Sequence, residues 1–587
     1  MKLRKKLKGL MCLILVSLII AVNISAVAKD FTVTVNEDAE NIEPEKENVE
    51  DTKPVDSEDI ISITESKILE DTLIKVSYSK ISDILQSTGK SKIAVIEELE
   101  NSITYTTYAG NSTGLREALW YMYENGNMSR YILYIGVSLA PMASFTGTSP
   151  LAPTNTDVTF ASLTKDKVSN LVITTSFDGV LENENTTAPS DAATFTISAA
   201  GSWYFGTDTE LVNIRYSGGS ICAQANKFSL KGGSYSTGAV ILYGGTRSGT
   251  IIGNAELNIY STGSGAFTIY GGNYTGTLDG NVTTTIYNTS GDITGFYGAG
   301  YGTAATAKAI VTGNVTTEIK NVNGLLGTYY GGGNFADVHG TIRNTISGGG
   351  GNAAITFYGG SNKGDIGNGV EAIINDVDFS GYTRNMVIRP FVGANQTTGV
   401  IRGNITNTVT AGSNFYGRIN GVQGAGGYDT QIRVAFTNAG QAESLARFRV
   451  YGDVYTTLTK GWFCTSGGSD GWARAAGYGG YIEGNTTIEV GTEGLAFGGP
   501  TALSDSYQYK VNEGGRNGDG RGYPTAWDIV GGGGLEDIDT SIYIKGDTRL
   551  IHRNTIARWT YGGSFGGYIE GNTRSEMHGG IVHTLEG

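Results

Sequence analysis

From residue 201 onward the chain is built of short runs, four to six residues long, in which apolar and polar side chains alternate and which glycine or asparagine separates. In the runs that follow a Gly-Asn pair, Val282, Thr284 and Ile286 share one side, as do Val315, Thr317 and Ile319, and Ala255, Leu257 and Ile259. A period of two is that of a β-strand with one face turned to a core. Thr283, Thr285, Thr316, Glu318, Glu256 and Asn258 take the opposite, solvent side. A second kind of run ends in tyrosine: in Phe267-Thr268-Ile269-Tyr270 the Phe and Ile share a side and the Tyr points away from it, and Ile355, Phe357 and Tyr358 repeat the pattern. Nothing recurs at 3.6 residues, so helical repeats are excluded.

These runs recur at a nearly fixed spacing. Tyr243-Gly244-Gly245, Tyr270-Gly271-Gly272, Tyr297-Gly298-Ala299, Tyr330-Gly331-Gly332 and Tyr358-Gly359-Gly360 follow one another at steps of 27, 27, 33 and 28 residues. Gly253-Asn254, Gly280-Asn281, Gly313-Asn314, Gly403-Asn404, Gly484-Asn485 and Gly571-Asn572 interleave with them, Gly452-Asp453 being a variant. The first two steps of this second series are again 27 and 33, so the two motifs belong to one structural unit and a long step inserts a loop. Two or three strands per unit make one coil of a β-solenoid. Glycine and asparagine tolerate left-handed backbone, which assigns the Gly-Asn pair to a corner, where stacked amides can bond from coil to coil. Coils of about 29 residues over 201–587 give roughly thirteen coils and a rod ~60 Å long.

Ahead of the repeats, Lys2, Arg4, Lys5, Lys6 and Lys8 precede an apolar stretch from Leu10 to Val22 and the triplet Ala26-Val27-Ala28, which reads as a signal peptide, residues 1–28. Residues 29–60 are acidic, with twelve carboxylates against Lys46 and Lys53 from residue 30 on, and read as a disordered spacer. Residues 61–100, with Ile93, Val95, Ile96 and Leu99, suit a short mixed or helical lead-in. The solenoid is expected over 101–587. Its cap over 101–137 comprises a strand at 102–108, an amphipathic helix over Leu115–Met122 with Thr113 as N-cap and Gly126 as terminator, and a strand at 131–135. The repeat lapses near 380–398, 411–447, 462–478 and 500–528, where irregular loops are expected.

The order strand, cap helix, strand Tyr131 to Ile135, then Leu171 to Thr174 before Phe177-Asp178-Gly179 resembles the first coil of right-handed β-helices of the pectate-lyase type. Repeats of the form Tyr-Gly-Gly, then Gly-Asn-x-Thr, are similar to the large glycine-rich surface proteins of Gram-positive and gut bacteria that carry pectate-lyase-like adhesive domains. The resemblance covers roughly residues 100 to 587. It implies an all-β, right-handed parallel β-helix with an N-terminal capping helix, displayed at a cell surface in an adhesive or structural role without catalysis. It departs at the C-terminus, where no sortase motif, wall-binding repeat or outer-membrane barrel precedes Gly587.

Composition narrows the chemistry. Of 587 residues 88 are glycine, about twice the ordinary share, and only nine are proline, which excludes collagen and proline-rich disorder. A net charge of −14 argues against nucleic acid, and no apolar run after the signal is long enough to span a bilayer. Sugar-cleaving β-helices need carboxylates converging from neighbouring coils, on calcium or as an acid and base pair. Asp279, Asp292, Asp365, Glu483 and Glu570 instead lie beside turns at differing phases. His339, His552, His578 and His583 show no metal-ligand spacing, and no cofactor is expected. Binding candidates are of two kinds. Tyr243, Tyr270, Tyr297, Tyr330 and Tyr358 form either an exposed aromatic stripe for carbohydrate or a protein partner, such as a host or matrix surface protein, or a ladder that only stabilises the coils. Arg516, Asp519, Arg521, Tyr523 and Trp527, beside Asp528, either line a sugar groove or decorate a surface loop, and Trp462 to Arg474 is a second irregular patch. Cys222 and Cys464 lie seven to nine coils apart on the repeat count, too far to bond, and a monomeric rod is expected. The two functions left open are a surface adhesin or stalk and a polysaccharide lyase or hydrolase.

Overall fold

A computed structural model describes the chain from Ala94 to Glu586 apart from several segments, the longest being 136–157, 175–193 and 494–524. The chain divides into two units, Met1–Asp59 and Ile60–Gly587, and everything described belongs to the second. The signal peptide, the acidic spacer and the lead-in up to residue 93 lie outside the described residues.

The described body is a parallel β-helix. Two 16-stranded sheets run its length, and two short sheets, of four and five strands, form a third side. Isolated bridges from Ile366 to Val338 and to Ile401 join the short sheets into one row. Strands adjacent in a sheet lie one repeat apart in sequence: Ala255–Tyr260 pairs with Val282–Tyr287, that with Val315–Lys320, and that with Ile342–Ser347, all parallel. One register position of the second sheet visits Tyr204, Cys222, Tyr243, Tyr270, Tyr297, Tyr330, Tyr358, Val392, Gln423, Arg474, Val530, Tyr561 and Glu586 in turn. That is thirteen coils, the number the spacing gives.

Alternation places the core as expected. Along Val282–Tyr287 and Val315–Lys320 every first, third and fifth side chain is buried. Stacking turns this into columns: Leu133, Ile173, Leu211, Leu230, Ile259, Ile286, Ile319, Ile346, Val377, Val409, Leu458 and Val490 follow one another at one register position. Each coil thus buries an aliphatic side chain against the next, a gain of roughly 1.5–3 kcal/mol per position. One column is polar. Asn344, Asn375, Asn407 and Thr456 replace aliphatics in the interior, and each amide donates both to the next coil and to the carbonyl of a corner glycine.

The Gly-Asn corner works by two mechanisms. Gly253 and Gly403 have φ of 132° and 128°, the conformation expected there. At Gly280 and Gly313 the need is for room, since a Cβ on Gly280 would stand 2.1 Å from the Gly253 carbonyl oxygen. Three asparagines with positive φ, Asn213, Asn288 and Asn321, lie at a different corner, and Asn127 precedes the strand Arg130–Ile135. Those of the Gly-Asn pairs form the expected side-chain ladder: Asn254 Oδ1 accepts from the Asn281 amide and backbone N–H, Asn281 Oδ1 from Asn314 N–H, and Asp453 Oδ1 from Asn485.

Two expectations need correction, that of the lead-in and that of the irregular stretches. Part of the lead-in suited to a helix is a strand, Ala94–Leu99, which pairs antiparallel with Ser102–Ala109. The run Val95-Ile96-Glu97-Glu98 has no strict two-residue period, so the sequence pattern alone does not mark a strand here and pairing decides. Of the capping helix, residues 119–120 and 122–124 are helical, with Leu119 and Met122 buried in the main core, whereas 115–118 lie outside the described residues. The irregular stretches hold coil strands: Val387–Ile388 and Phe391–Val392, Arg418–Ile419 and Val422–Gln423, Trp462–Phe463 and Trp472–Arg474. Each pair is one strand interrupted, by two residues in the first two coils and by an insert in the third, for the unbroken Thr525–Val530 pairs with both halves of the coil before it.

Candidate functional site

The tyrosine column is built as its sequence pattern requires, and it is not the exposed stripe considered above. Each tyrosine follows a core residue, Leu242, Ile269, Phe296, Tyr329 or Phe357, so its ring stands on the outer face of the second sheet. Tyr243, Tyr270, Tyr297, Tyr330 and Tyr358 stack with centroids 5.0, 5.1, 5.6 and 4.7 Å apart and planes inclined by 10° to 16°. A second row, Tyr274 and Tyr301, closes against them edge-on at 5.1 to 6.1 Å. Tyr270 and Tyr330 are consequently only 9% exposed, Tyr243 and Tyr358 less, and Tyr297 is half-buried. A sugar docks on the face of an aromatic ring, and here the faces within the stack are taken by neighbours.

The same enclosure acts on the hydroxyls. Burial pushes Tyr243 and Tyr358 up to about 12 and raises Tyr270, Tyr297 and Tyr330 as well. The Tyr330 hydroxyl donates to Gln396 Oε1 at 2.6 Å, two coils further on. Cys222 occupies the same column between Tyr204 and Tyr243 as a buried free thiol, pushed up to about 12 by burial and so unreactive. Cys464 lies outside the described residues. Inside the sheet a parallel stack of Phe296, Tyr329, Phe357 and Phe391, at 4.8 to 4.9 Å, backs the outer one.

The carboxylates are engaged in the same way. Asp279 accepts from Thr312 Oγ1 at 2.7 Å and Asp292 from the Leu325 N–H at 2.7 Å. Asp365 accepts from the Val400 N–H at 3.0 Å and pairs with Arg402, Glu483 pairs with Lys545 at 3.2 Å, and Glu570 accepts from the Tyr543 hydroxyl at 2.9 Å. Each of the five thus binds a group on a neighbouring coil. Lys308 and Asp337, at 2.8 Å, extend the pattern. Among the described residues no three His, Cys, Asp or Glu side chains come together as a metal site. His339, His578 and His583 are exposed, and His552 is buried.

Of the loop candidates, Arg516, Asp519, Arg521 and Tyr523 lie outside the described residues. Trp527 belongs to the strand Thr525–Val530. Its neighbour Asp528 is buried beside Trp472, its register partner. Arg474, the largest fully buried side chain described, sits at the tyrosine-column position with its guanidinium over the rings of Trp472 and Tyr478, 5.0 and 4.7 Å from their centroids, and donates from Nε to the Gly534 carbonyl at 2.8 Å. Trp472 in turn stacks on Tyr561 at 6.0 Å. The structure therefore joins the second irregular patch to Asp528, a grouping whose members lie over 50 residues apart and which only register reveals.

The sequence matches no protein-family model, and no curated protein and no solved structure is significantly similar to it. No helix among the described residues is long and apolar enough to cross a membrane.

Proposed function

We propose that this chain is a non-catalytic surface scaffold, an adhesin stalk exported through its N-terminal signal, in which the β-helix holds binding loops at a distance from the cell. One observation carries the reading: the side chains that a polysaccharide enzyme or an aromatic glycan platform would leave free are spent on coil-to-coil contacts. The five tyrosines stack, and Asp279, Asp292, Asp365, Glu483 and Glu570 all bond to adjacent coils. A scaffold gains from such stitching, because a solenoid's stability is the sum of its coil-to-coil interfaces. Inserts at 411–447, 462–478 and 500–528 are where a carbohydrate or protein ligand would meet it, since loops on a regular support carry recognition.

The test is a reducing-sugar and unsaturated-uronide assay with purified protein on pectins, alginate and glycosaminoglycans, run beside binding to the same panel. Binding without turnover is expected. Turnover would replace the scaffold by the lyase or hydrolase reading and direct attention to the Arg474 and Asp528 cluster.

A further inference from the structure

The aliphatic column that runs from Leu133 to Val490 is broken once, one coil later, by His552, and then continues to Met577. His552 points inward with Thr548 and Leu550 of its strand, is 1% exposed, and neither ring nitrogen has a hydrogen-bond partner. A buried imidazole without an acceptor is tolerated only while neutral. We propose that His552 makes the C-terminal coils, Thr548 to Glu586, an acid-released end of the solenoid, held closed at neutral pH and opened when the ring is protonated.

The surroundings leave a proton no counter-charge. Strand alternation puts Glu489 of the preceding coil and Glu576 of the following one on the opposite face of the sheet from His552. Both are already paired, Glu489 with Arg553 at 2.7 Å and with the Tyr455 hydroxyl, Glu576 with Arg549, Arg574 and His578. His583 and Glu586, on the strand that closes the last coil, are exposed. Across the core Thr555 is buried and donates its hydroxyl to the Val490 carbonyl at 2.8 Å. The lip of the coil is thinly held: Met577 and Leu585 are 49% and 52% exposed.

The sign follows from linkage. Burial lowers the closed-state imidazole to about 4 from an ordinary 6.5. Well above pH 6.5 both states are neutral and pH has no effect; between 6.5 and 4 the opened state takes the proton in preference, so opening rises by up to tenfold per pH unit and reaches about 150-fold at pH 4, where the closed state is itself half protonated.

The experiment is hydrogen exchange on the full chain, corrected for intrinsic rates, between pH 7.5 and 4, for wild type and His552→Leu, which restores the aliphatic column and so keeps the fold. In wild type the opening equilibrium for amides of Thr548–His552 should rise about 150-fold, and in the variant by less than about threefold, with Val282–Tyr287 unchanged in both. A pH-independent wild type, or an equal response in the variant, would overturn the proposal.

Discussion

Asn375 is the centre of the buried amide ladder, and truncating it measures how much the ladder holds. Its Nδ2 donates to the Gly393 carbonyl and to Asn407 Oδ1, both at 2.7 Å, and its Oδ1 accepts from Asn344 Nδ2 at 2.7 Å. Asn375→Ala removes all three bonds and deprives two buried acceptors of a donor. At about 1–3 kcal/mol for each stranded buried group the cost is about 4 kcal/mol, which is roughly a thousandfold in the local opening equilibrium. A solenoid need not unfold as one unit, so the assay is native-state hydrogen exchange at the amides of Glu371–Asp378 rather than a global melt. Asn375→Thr, which copies the residue found at Thr456 of the same column, should recover part of the loss. The double variant with Asn407→Ala should cost less than the two singles together, by about 1–2 kcal/mol, because they share a bond. Acceleration of less than about tenfold in Asn375→Ala, or strict additivity, would refute the ladder's role.

Three other outcomes are expected. Tyr270→Ala should destabilise its coil by about 3–5 kcal/mol, seen in the same exchange measurement at Ala266–Tyr270; loss of glycan binding with unaltered stability would instead restore the exposed-stripe reading. Gly271→Ala places a Cβ 2.0 Å from the Gly298 carbonyl oxygen and should prevent close stacking, whereas Gly440→Ala, with its nearest contact at 3.6 Å in the helix Ala439–Leu445, should stabilise by up to about 1 kcal/mol, both read from native-state hydrogen exchange in the substituted segment. In an alkaline titration followed at the tyrosinate absorbance, Tyr243 and Tyr358 should stay protonated until about pH 12; because burial raises them, the stability they contribute is complete below the unfolded value of about 10 and falls as pH climbs toward 12.

Much of the fold was legible in the sequence, and the reason is periodicity. Alternation fixed which of Val282, Thr283 and Thr284 face the core, and the spacing of Tyr-Gly-Gly fixed the coil and the number of coils. What alternation cannot show is what covers an outward-facing residue. Tyr270 does point away from the core, as its pattern says, but Tyr274 and Tyr301 fold over it from corners four residues beyond the column tyrosines, and a corner has no period to betray it. The inner asparagine column was hidden for a related reason: Asn344, Asn375 and Asn407 look like solvent-facing polar residues until the stacking of three coils supplies each with partners. The pairing of Trp472 with Asp528 was out of reach because the two lie far apart in sequence and only register joins them.

Side-chain ladders stitch successive coils into a mechanically resistant scaffold, and stretching single molecules tests this most directly. With the protein held by its two ends, the force trace should show discrete peaks whose spacings follow the coil steps, which for the regular coils from Tyr243 to Gln423 are 27 to 34 residues, or about 90–120 Å of released chain at ~3.3–3.6 Å per residue. Extension without force peaks would contradict it.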